Sequence, residues 1–331
     1  MHSQPTVIDV AAAAGVSRQT VSNVLNSPEI VRPETRERVE RAIQELGYLP
    51  HASARRLRTR RSSTIGIRLD HLAADGISGS VLDRFLHALT EQAATRGLRV
   101  MLFTAADADD EIAQLRRLSD GADVDAFVLT STVHDDPRID WLWGRGIRFV
   151  AFGRPWGHLD APHPWVDVDG QAGVRAATAH FVATAGPRVG YIGWPAGSGT
   201  GDDRRAGWAS VIAEHAPAGM FVDGLLADLE IDALEGVAEG GRAARELVAR
   251  TDVDAIVCAS DSLALGAFLA VGDTVPVCGF DDTPVAVSLG FSSVEQQLGE
   301  VARAVLDLLA LPDDATDAQA HRLVTPRLVV R

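Results

Sequence analysis

The chain of 331 residues is 46% hydrophobic and 23% charged, a balance that excludes disordered and collagen-like polymers and gives a folded protein of two or three domains. Acidic residues outnumber basic ones 45 to 31, for a net charge of −14, which over the whole surface argues against a polyanionic partner. Every basic residue is arginine, so chemistry that needs a lysine amine, from Walker-type phosphate loops to Schiff-base catalysis, is excluded.

The charge is uneven along the chain. Residues 1–61 hold ten arginines against six acidic residues, +4, which leaves −18 for the remainder. A small basic segment on an acidic body is the pattern of a nucleic-acid-binding part attached to something else. Within it, Thr6 is placed to cap a helix over 7–14, with Asp9 three residues on, and Gly15 to end it. Ser17 caps a second helix running through Leu25, on which Val21, Val24 and Leu25 form the buried stripe. Pro33 suits the first position of a third helix, whose Val39, Ala42, Ile43 and Leu46 recur at helical spacing until Gly47.

From Thr64 the pattern changes to short apolar runs alternating with amphipathic stretches. Strands are expected at 65–69, 100–103, 126–129, 149–152, 189–193, 255–258 and 276–279. Helices are expected at 80–96, 110–119, 170–185, 203–215, 240–250 and 262–270. This alternation implies parallel α/β sheets. The number of units calls for two lobes, with the Pro- and Trp-rich stretch 155–165 as the expected boundary. Cys258 and Cys278 stand in apolar runs without CxxC spacing and read as buried strand residues rather than a disulfide. The first residues lack the basic start and apolar stretch of a signal peptide, and no run reaches the ~18 apolar residues of a membrane span. A cytoplasmic protein is expected.

Helix, tight turn and second helix with an outward polar face is the arrangement that carries side chains into a major groove. Arg18 matches guanine, and Gln19 or Asn23 matches adenine, in donor and acceptor pattern. Ser22 is suited to assist or to meet phosphate. On spacing alone, a three-helix bundle with a merely solvated polar face stands beside this reading.

The residues TVIDVAAAAGVSRQTVSNVLN, VRPETRERV, LGYLP and ASARRL resemble the N-terminus of LacI/GalR-family transcription regulators. The resemblance continues through GDDRRAGW at 201–208, ASDSLALGAF at 259–268 and VCGFDD at 277–282. It implies a helix-turn-helix domain over 1–50, a hinge helix and linker over 51–63, and a two-lobed α/β effector domain of periplasmic-binding-protein type over 64–331. The expected first lobe is about 64–160 plus 297–320, and the second about 161–296 plus 321–331. The DNA-contacting set is then Thr6, Ser17, Arg18, Gln19, Thr20, Ser22, Asn23 and Asn26, with Ala54, Leu57 and Arg58 from the hinge. The resemblance implies that Leu57 wedges into the minor groove and bends the duplex, a trade of unstacking energy for contact area that an apolar side chain can make. A linker residue packed under the bundle is the alternative for Leu57. His51 and Arg32 depart from the family, which usually has asparagine and serine there, and both changes weaken a helix N-cap.

Ligands of such modules bind beyond the carboxyl ends of the parallel strands. That rule and the resemblance nominate His71, Ser131, Arg154, Trp194, Arg204, Ser260, Asp281 and Gln296. Arg204 supplies a bidentate donor, Asp281 an acceptor and Trp194 an apolar face, a set suited to a sugar, with a purine-like ligand as the alternative. Plainer roles stand beside these: an ion pair with Asp202 for Arg204, turn capping for Asp281 and Asp282, lobe packing for Trp194 and Trp165.

Catalysis lacks a site. There is no HExxH or GxSxG pattern, the His158–Asp160–His163 cluster lacks a third metal ligand, and the glycine-rich 193–201 loop lacks its lysine. Neither an enzyme nor a cofactor is expected. A transport protein of the same two-lobed type would carry an export signal and no helix-turn-helix. The reading is a DNA-binding regulator, expected to be a repressor, controlled by a small effector. A homodimer is expected because no leucine heptads follow the last strand.

Overall fold

The computed structural model describes residues 5–48, 62–69, 79–158, 160–219, 221–312 and 320–331. The chain forms two compact units, Met1–Ser62 and Ser63–Arg331.

The first unit contains α1 (Val7–Ala14), α2 (Arg18–Asn26) and α3 (Pro33–Leu46), with a 3-10 turn at Pro28–Ile30. Thr6 caps α1 reciprocally: its amide and hydroxyl donate to Asp9 Oδ2 at 2.7 Å, while the Asp9 amide donates to Thr6 Oγ1 at 3.4 Å. These bonds also hold the Asp9 carboxyl below its usual range. Helix α1 stops at Gly15, and Ser17 then caps α2 by accepting from the Thr20 amide at 3.1 Å. Arg32, at the N-cap of α3, makes no side-chain cap. Val10, Val21 and Val39 are wholly buried at the centre of the unit, each contributing roughly 1.5–3 kcal/mol. Leu46, expected in the stripe of α3, is instead exposed. After Gly47 the chain folds back, the Tyr48 amide donates to Ile43 O at 3.0 Å, and the Tyr48 ring takes the buried place.

In the second unit, one sheet contains β1 (Thr64–Arg68), β2 (Arg99–Phe103), β3 (Ala126–Leu129), β4 (Phe149–Phe152), β5 (Trp165–Val168) and β11 (His321–Val324). Their order is β11-β5-β4-β3-β1-β2, with every pair parallel. Helices α4 (Gly79–Thr95), α5 (Ala108–Asp120) and α6 (Pro137–Trp143) fall between these strands in sequence. The other sheet contains β6 (Val189–Gly193), β7 (Glu230–Asp232), β8 (Ala255–Cys258), β9 (Val277–Phe280), β10 (Ser292–Glu295) and β12 (Arg327–Val329), in the order β12-β10-β9-β8-β6-β7. It is parallel except for the antiparallel β10–β12 edge. Its helices are α7 (Gly170–Thr184), α8 (Gly199–His215), α9 (Val222–Leu229), α10 (Val237–Arg250), α11 (Asp261–Val271) and α12 (Pro284–Leu289). A last helix, α13 (Leu298–Leu309), returns to the first sheet and packs on α4, β4 and β5.

The chain crosses between lobes three times, after β5, after β10 and after β11. The lobe boundaries therefore differ from the sequence reading. Trp165–Val168 and His321–Val324 belong to the first lobe, where they pair with one another. The 155–165 stretch is the connection into the last consecutive strand of that lobe rather than the crossing itself. Trp165 is buried in β5 and stacks on His321 at 4.9 Å. Cys258 and Cys278 are buried, free thiols on neighbouring strands. Among the described residues no helix is long and apolar enough to cross a membrane.

Both sheets reverse their strand progression, between β1 and β3 in one and between β6 and β8 in the other. Such switch points open a crevice beyond the carboxyl ends of the strands.

Candidate functional site

On α2, Val21 and Val24 point into the core, Arg18 and Gln19 are exposed, and Ser22 and Asn23 are half-buried. Gln19 Nε2 donates to Asn23 Oδ1 at 3.0 Å, one turn on, so the two amides are held together on one polar face. The Ser17 and Thr20 hydroxyls hydrogen-bond to each other at 2.9 Å. Thr6, Ser17 and Thr20 thus serve the helix ends within the unit, and Arg18, Gln19 and Asn23 carry the groups that match base edges. Helix α2 includes Asn26, while Ala54, Leu57 and Arg58 lie outside the described residues.

In the second unit, a cavity of about 260 Å³ lies between the lobes. Its wall includes Ser131 beyond β3, Arg154 and Trp156 beyond β4, Asp203 and Arg204 on α8, and Gln296 at the crossing into α13. Four of the expected effector residues, Ser131, Arg154, Arg204 and Gln296, therefore share one wall. Trp194, Ser260 and Asp281 do not line it and are joined to it through their neighbours. His71 lies outside the described residues.

Arg154 is paired with two carboxylates. Its Nε donates to Asp167 Oδ2 and its Nη2 to Asp203 Oδ2, both at 2.7 Å. Because Asp167 belongs to β5 and Asp203 to α8, this arginine ties the two lobes together. Burial pushes the Asp167 carboxyl up although Arg154 pulls the other way. Arg204 is 6% exposed and held by aromatic faces, with its Cζ 3.6 Å from the Phe280 ring centroid and 5.3 Å from that of Trp194. One Nη donates to the Ala259 carbonyl, while Nε is buried without a hydrogen-bond partner among the described residues. A buried donor left unpaired costs about 1–3 kcal/mol, which a ligand oxygen would recover.

Behind Arg204 lies an acidic pair. Gln296 Nε2 donates to Asp281 Oδ1. Asp261 accepts from the Thr283 amide and hydroxyl, at 2.7 and 2.8 Å, and from the Ser293 hydroxyl at 2.6 Å. Burial raises both carboxyls; Arg204 draws Asp281 down and Asp261 draws it up. Gly279 permits this packing, since a Cβ there would lie 2.1 Å from Asp261 Oδ1. Asp281 and Asp282 hold φ of 119° and 48°, Ser131 54° and Gln297 58°. Such backbone costs of order 1–3 kcal/mol per residue and gathers where function fixes the chain. From α4, Arg84 reaches across the lobes and donates to the Asp281 and Asp282 carbonyls, each at 2.9 Å.

A second cluster joins the loops beyond β6, β7 and β8. Trp194 Nε1 donates to Glu235 Oε2 at 2.7 Å, and the Ser260 hydroxyl donates to the same carboxylate at 2.8 and 3.0 Å. Ser260 also caps α11.

Comparison with known proteins places these features in a lineage. Residues 6–51 match bacterial regulatory proteins of the lacI family, and residues 78–294 match the periplasmic binding proteins and sugar binding domain of the LacI family. The chain belongs to the LacI family. It is a DNA-binding transcriptional regulator of the helix-turn-helix type, with a two-lobed sugar-binding-type domain. The transcriptional regulator CelR of Thermobifida fusca is 36% identical over 298 residues, 86% of this chain and 84% of that protein. The solved structure of a CelR–cellobiose complex shares 31% identity and a TM-score of 0.68, covering 99% of both chains. The Lac repressor dimer bound to operator has the same fold, at a TM-score of 0.81 and 22% identity over 99% of this chain and 98% of that one.

Within this LacI-family chain, several plainer readings of the sequence give way. Arg204 is buried and bonds to the Ala259 carbonyl, not to Asp202; the Asp202 carboxylate instead accepts from the Gly197 amide at 3.2 Å. Asp282 pairs with Arg331 at 2.6 Å rather than reaching the cavity. His158 pairs with Asp135 at 2.9 Å, and His163 stacks on Phe149 at 5.6 Å with its Nε2 buried and without a hydrogen-bond partner among the described residues.

The sequence reading missed Trp156, Asp203, Glu235 and a network at the same end of the first lobe. There Arg138 Nη1 meets Glu111 at 2.9 Å, its Nη2 meets Asp136 at 2.6 Å, and Arg68 adds a contact to Glu111 at 3.0 Å. Arg138 also donates to the Thr130 and Ser131 carbonyls, at 3.1 and 3.2 Å, bracing the loop that bends at Ser131. Burial pushes the Glu111 carboxyl up despite both arginines. The one sequence signal for Asp203 is its place beside Arg204 in GDDRRAGW.

Proposed function

We propose that this chain represses transcription by binding an operator through α2, and that a neutral saccharide in the interlobe cleft controls that binding. The observation that carries the effector assignment is Arg204: a buried guanidinium in the cavity wall, clasped by Phe280 and Trp194, with an Nε that has no hydrogen-bond partner among the described residues. Arg204 as donor and Asp281, joined to the wall through Gln296, as acceptor suit a pair of ring hydroxyls once the lobes part. The arrangement does not suit an anion, because Arg154 is already neutralised by Asp167 and Asp203. The cellobiose held by the CelR complex supports the same class of ligand.

In this reading residues 1–50 read the major groove, 51–63 form the hinge with Ala54, Leu57 and Arg58 at the minor groove, and the remainder binds effector and forms a homodimer in the cytoplasm. Arg18, Gln19 and Asn23 address base edges; Thr6, Ser17, Thr20, Ser22 and Asn26 position the helix or meet phosphate. The protein binds its ligand without turning it over. Control follows as linkage: the sugar shifts operator affinity only as far as it prefers one lobe arrangement over the other. The test is operator release, on a duplex selected from a random pool, against neutral mono- and disaccharides. Arg204→Ala and Asp281→Ala are expected to bind operator normally and ignore every sugar. A normal sugar response in both variants would remove these residues from sugar recognition.

A further inference from the structure

Trp156 follows β4 in the first lobe, is half-buried and lines the interlobe cavity. The Arg154 guanidinium stacks on its indole, 4.5 Å from the ring centroid, and the same guanidinium bonds to Asp203 of the second lobe. The indole also reaches the opposite lobe directly. At Gly199, the first residue of α8, a Cβ would lie 2.2 Å from the indole Cδ2 and 2.3 Å from Cγ. Glycine is needed there because the ring occupies the space of a side chain.

Trp194, the aromatic residue nominated from sequence, differs in two ways. It is outside the cavity wall, and it is committed to Glu235 through Nε1 and to Arg204 through its ring. The cavity itself, about 260 Å³, lies below the roughly 300–1,000 Å³ usual for small-molecule pockets. A disaccharide must therefore part the lobes, and the contact between Trp156 and Gly199 lies in its way. An indole released from Gly199 has an apolar face to offer the C–H face of a sugar ring.

We propose that Trp156 is the effector-stacking and size-selecting residue of this cleft, its indole exchanging Gly199 for the sugar ring when a saccharide enters. The proposal rests on the saccharide reading of the cleft. Its test is titration of the full-length protein with cellobiose, maltose, glucose and ribose, followed by tryptophan fluorescence and by calorimetry. In the wild type, a sugar that binds is expected to change the emission. Trp156→Phe is expected to lose most of that change while keeping part of the affinity, because a ring remains. Trp156→Ala is expected to bind about tenfold more weakly, the factor equivalent to about 1.4 kcal/mol. Gly199→Ala, whose methyl displaces the indole beforehand, is expected to show the shifted emission without sugar. Wild-type affinity in Trp156→Ala, or an undiminished emission change in Trp156→Phe, would overturn the role of Trp156 and leave the saccharide reading standing. If none of the four sugars binds the wild type, both fall.

Discussion

Two buried titratable residues tie different properties of the molecule, sugar affinity and stability, to pH. Asp281 is raised by burial, with Arg204 opposing and Asp261 reinforcing the shift. A ligand hydroxyl that donates to Asp281 favours its charged form, so binding expels a proton and sugar affinity is expected to tighten as pH rises through the neutral range. Asp281→Asn keeps a partner for Gln296 and tolerates the positive φ. It is expected to weaken sugar binding by about 1.5–3 kcal/mol, the worth of a charged hydrogen bond, and to flatten the pH dependence, as calorimetry between pH 6 and pH 8 would report. His163 acts on stability instead, and in the same direction. Burial lowers it from 6.5 to about 4, with His321 adding repulsion and Asp136 and Asp140 opposing. The unfolded chain then binds the extra proton, so stability is full above the ordinary histidine value and is lost as pH falls toward the folded one. His163→Phe preserves the stack on Phe149 and removes a buried nitrogen that has no hydrogen-bond partner among the described residues. Thermal unfolding at pH 5 is expected to show the variant a few degrees above the wild type, with little difference at pH 8; equal acid sensitivity would exclude His163 as the source.

Elements differ in how openly the sequence announces them. Strands buried on both faces, such as Ala126–Leu129 and Ala255–Cys258, read as continuous apolar runs and are legible. Trp165–Val168 is buried to the same degree but carries Asp167, which is tolerated only because Arg154 from the preceding loop pairs with it. His321–Val324 is an edge strand whose middle two side chains are exposed, with no alternation to read. Helix α13 does carry Leu298, Val301, Ala302, Val305 and Leu309 at helical spacing, yet which lobe it covers is decided by a crossing that no local pattern reveals. The cleft follows the same division. Ser131, Arg154, Arg204 and Gln296 are reachable from the rule that ligands meet strand carboxyl ends. Trp156, Asp203 and Glu235 act through partners distant in sequence, and only the fold names those partners. The Arg138 network makes one element-scale prediction. Arg138→Met strands Glu111 and Asp136 and releases the Thr130–Ser131 loop, so chemical denaturation is expected to register a loss of about 3–5 kcal/mol. On α2, Gln19→Ala is expected to cost about 1–3 kcal/mol and to relax preference at one base pair, read by binding to single-position operator variants.

Across the whole molecule the net charge of −14 conceals a division of labour, +4 in residues 1–61 and −18 beyond them. An acidic body discourages non-specific adhesion to nucleic acid, and in the proposed function the arginines of the first segment offer planar forks suited to phosphate and guanine. Regulation requires that the state of the cleft reach this segment, and the cleft is built to have states: Arg154, Arg84 and Trp156 each hold one lobe against the other. The most direct measurement is the equilibrium binding of labelled operator at one fixed salt concentration, with and without a saturating sugar, for the wild type and Arg204→Ala. The account predicts that the sugar shifts wild-type affinity about 5–150-fold, the usual span of a 1–3 kcal/mol coupling, and leaves Arg204→Ala unmoved. Equal operator affinity with and without a sugar shown by calorimetry to occupy the wild-type cleft would contradict it.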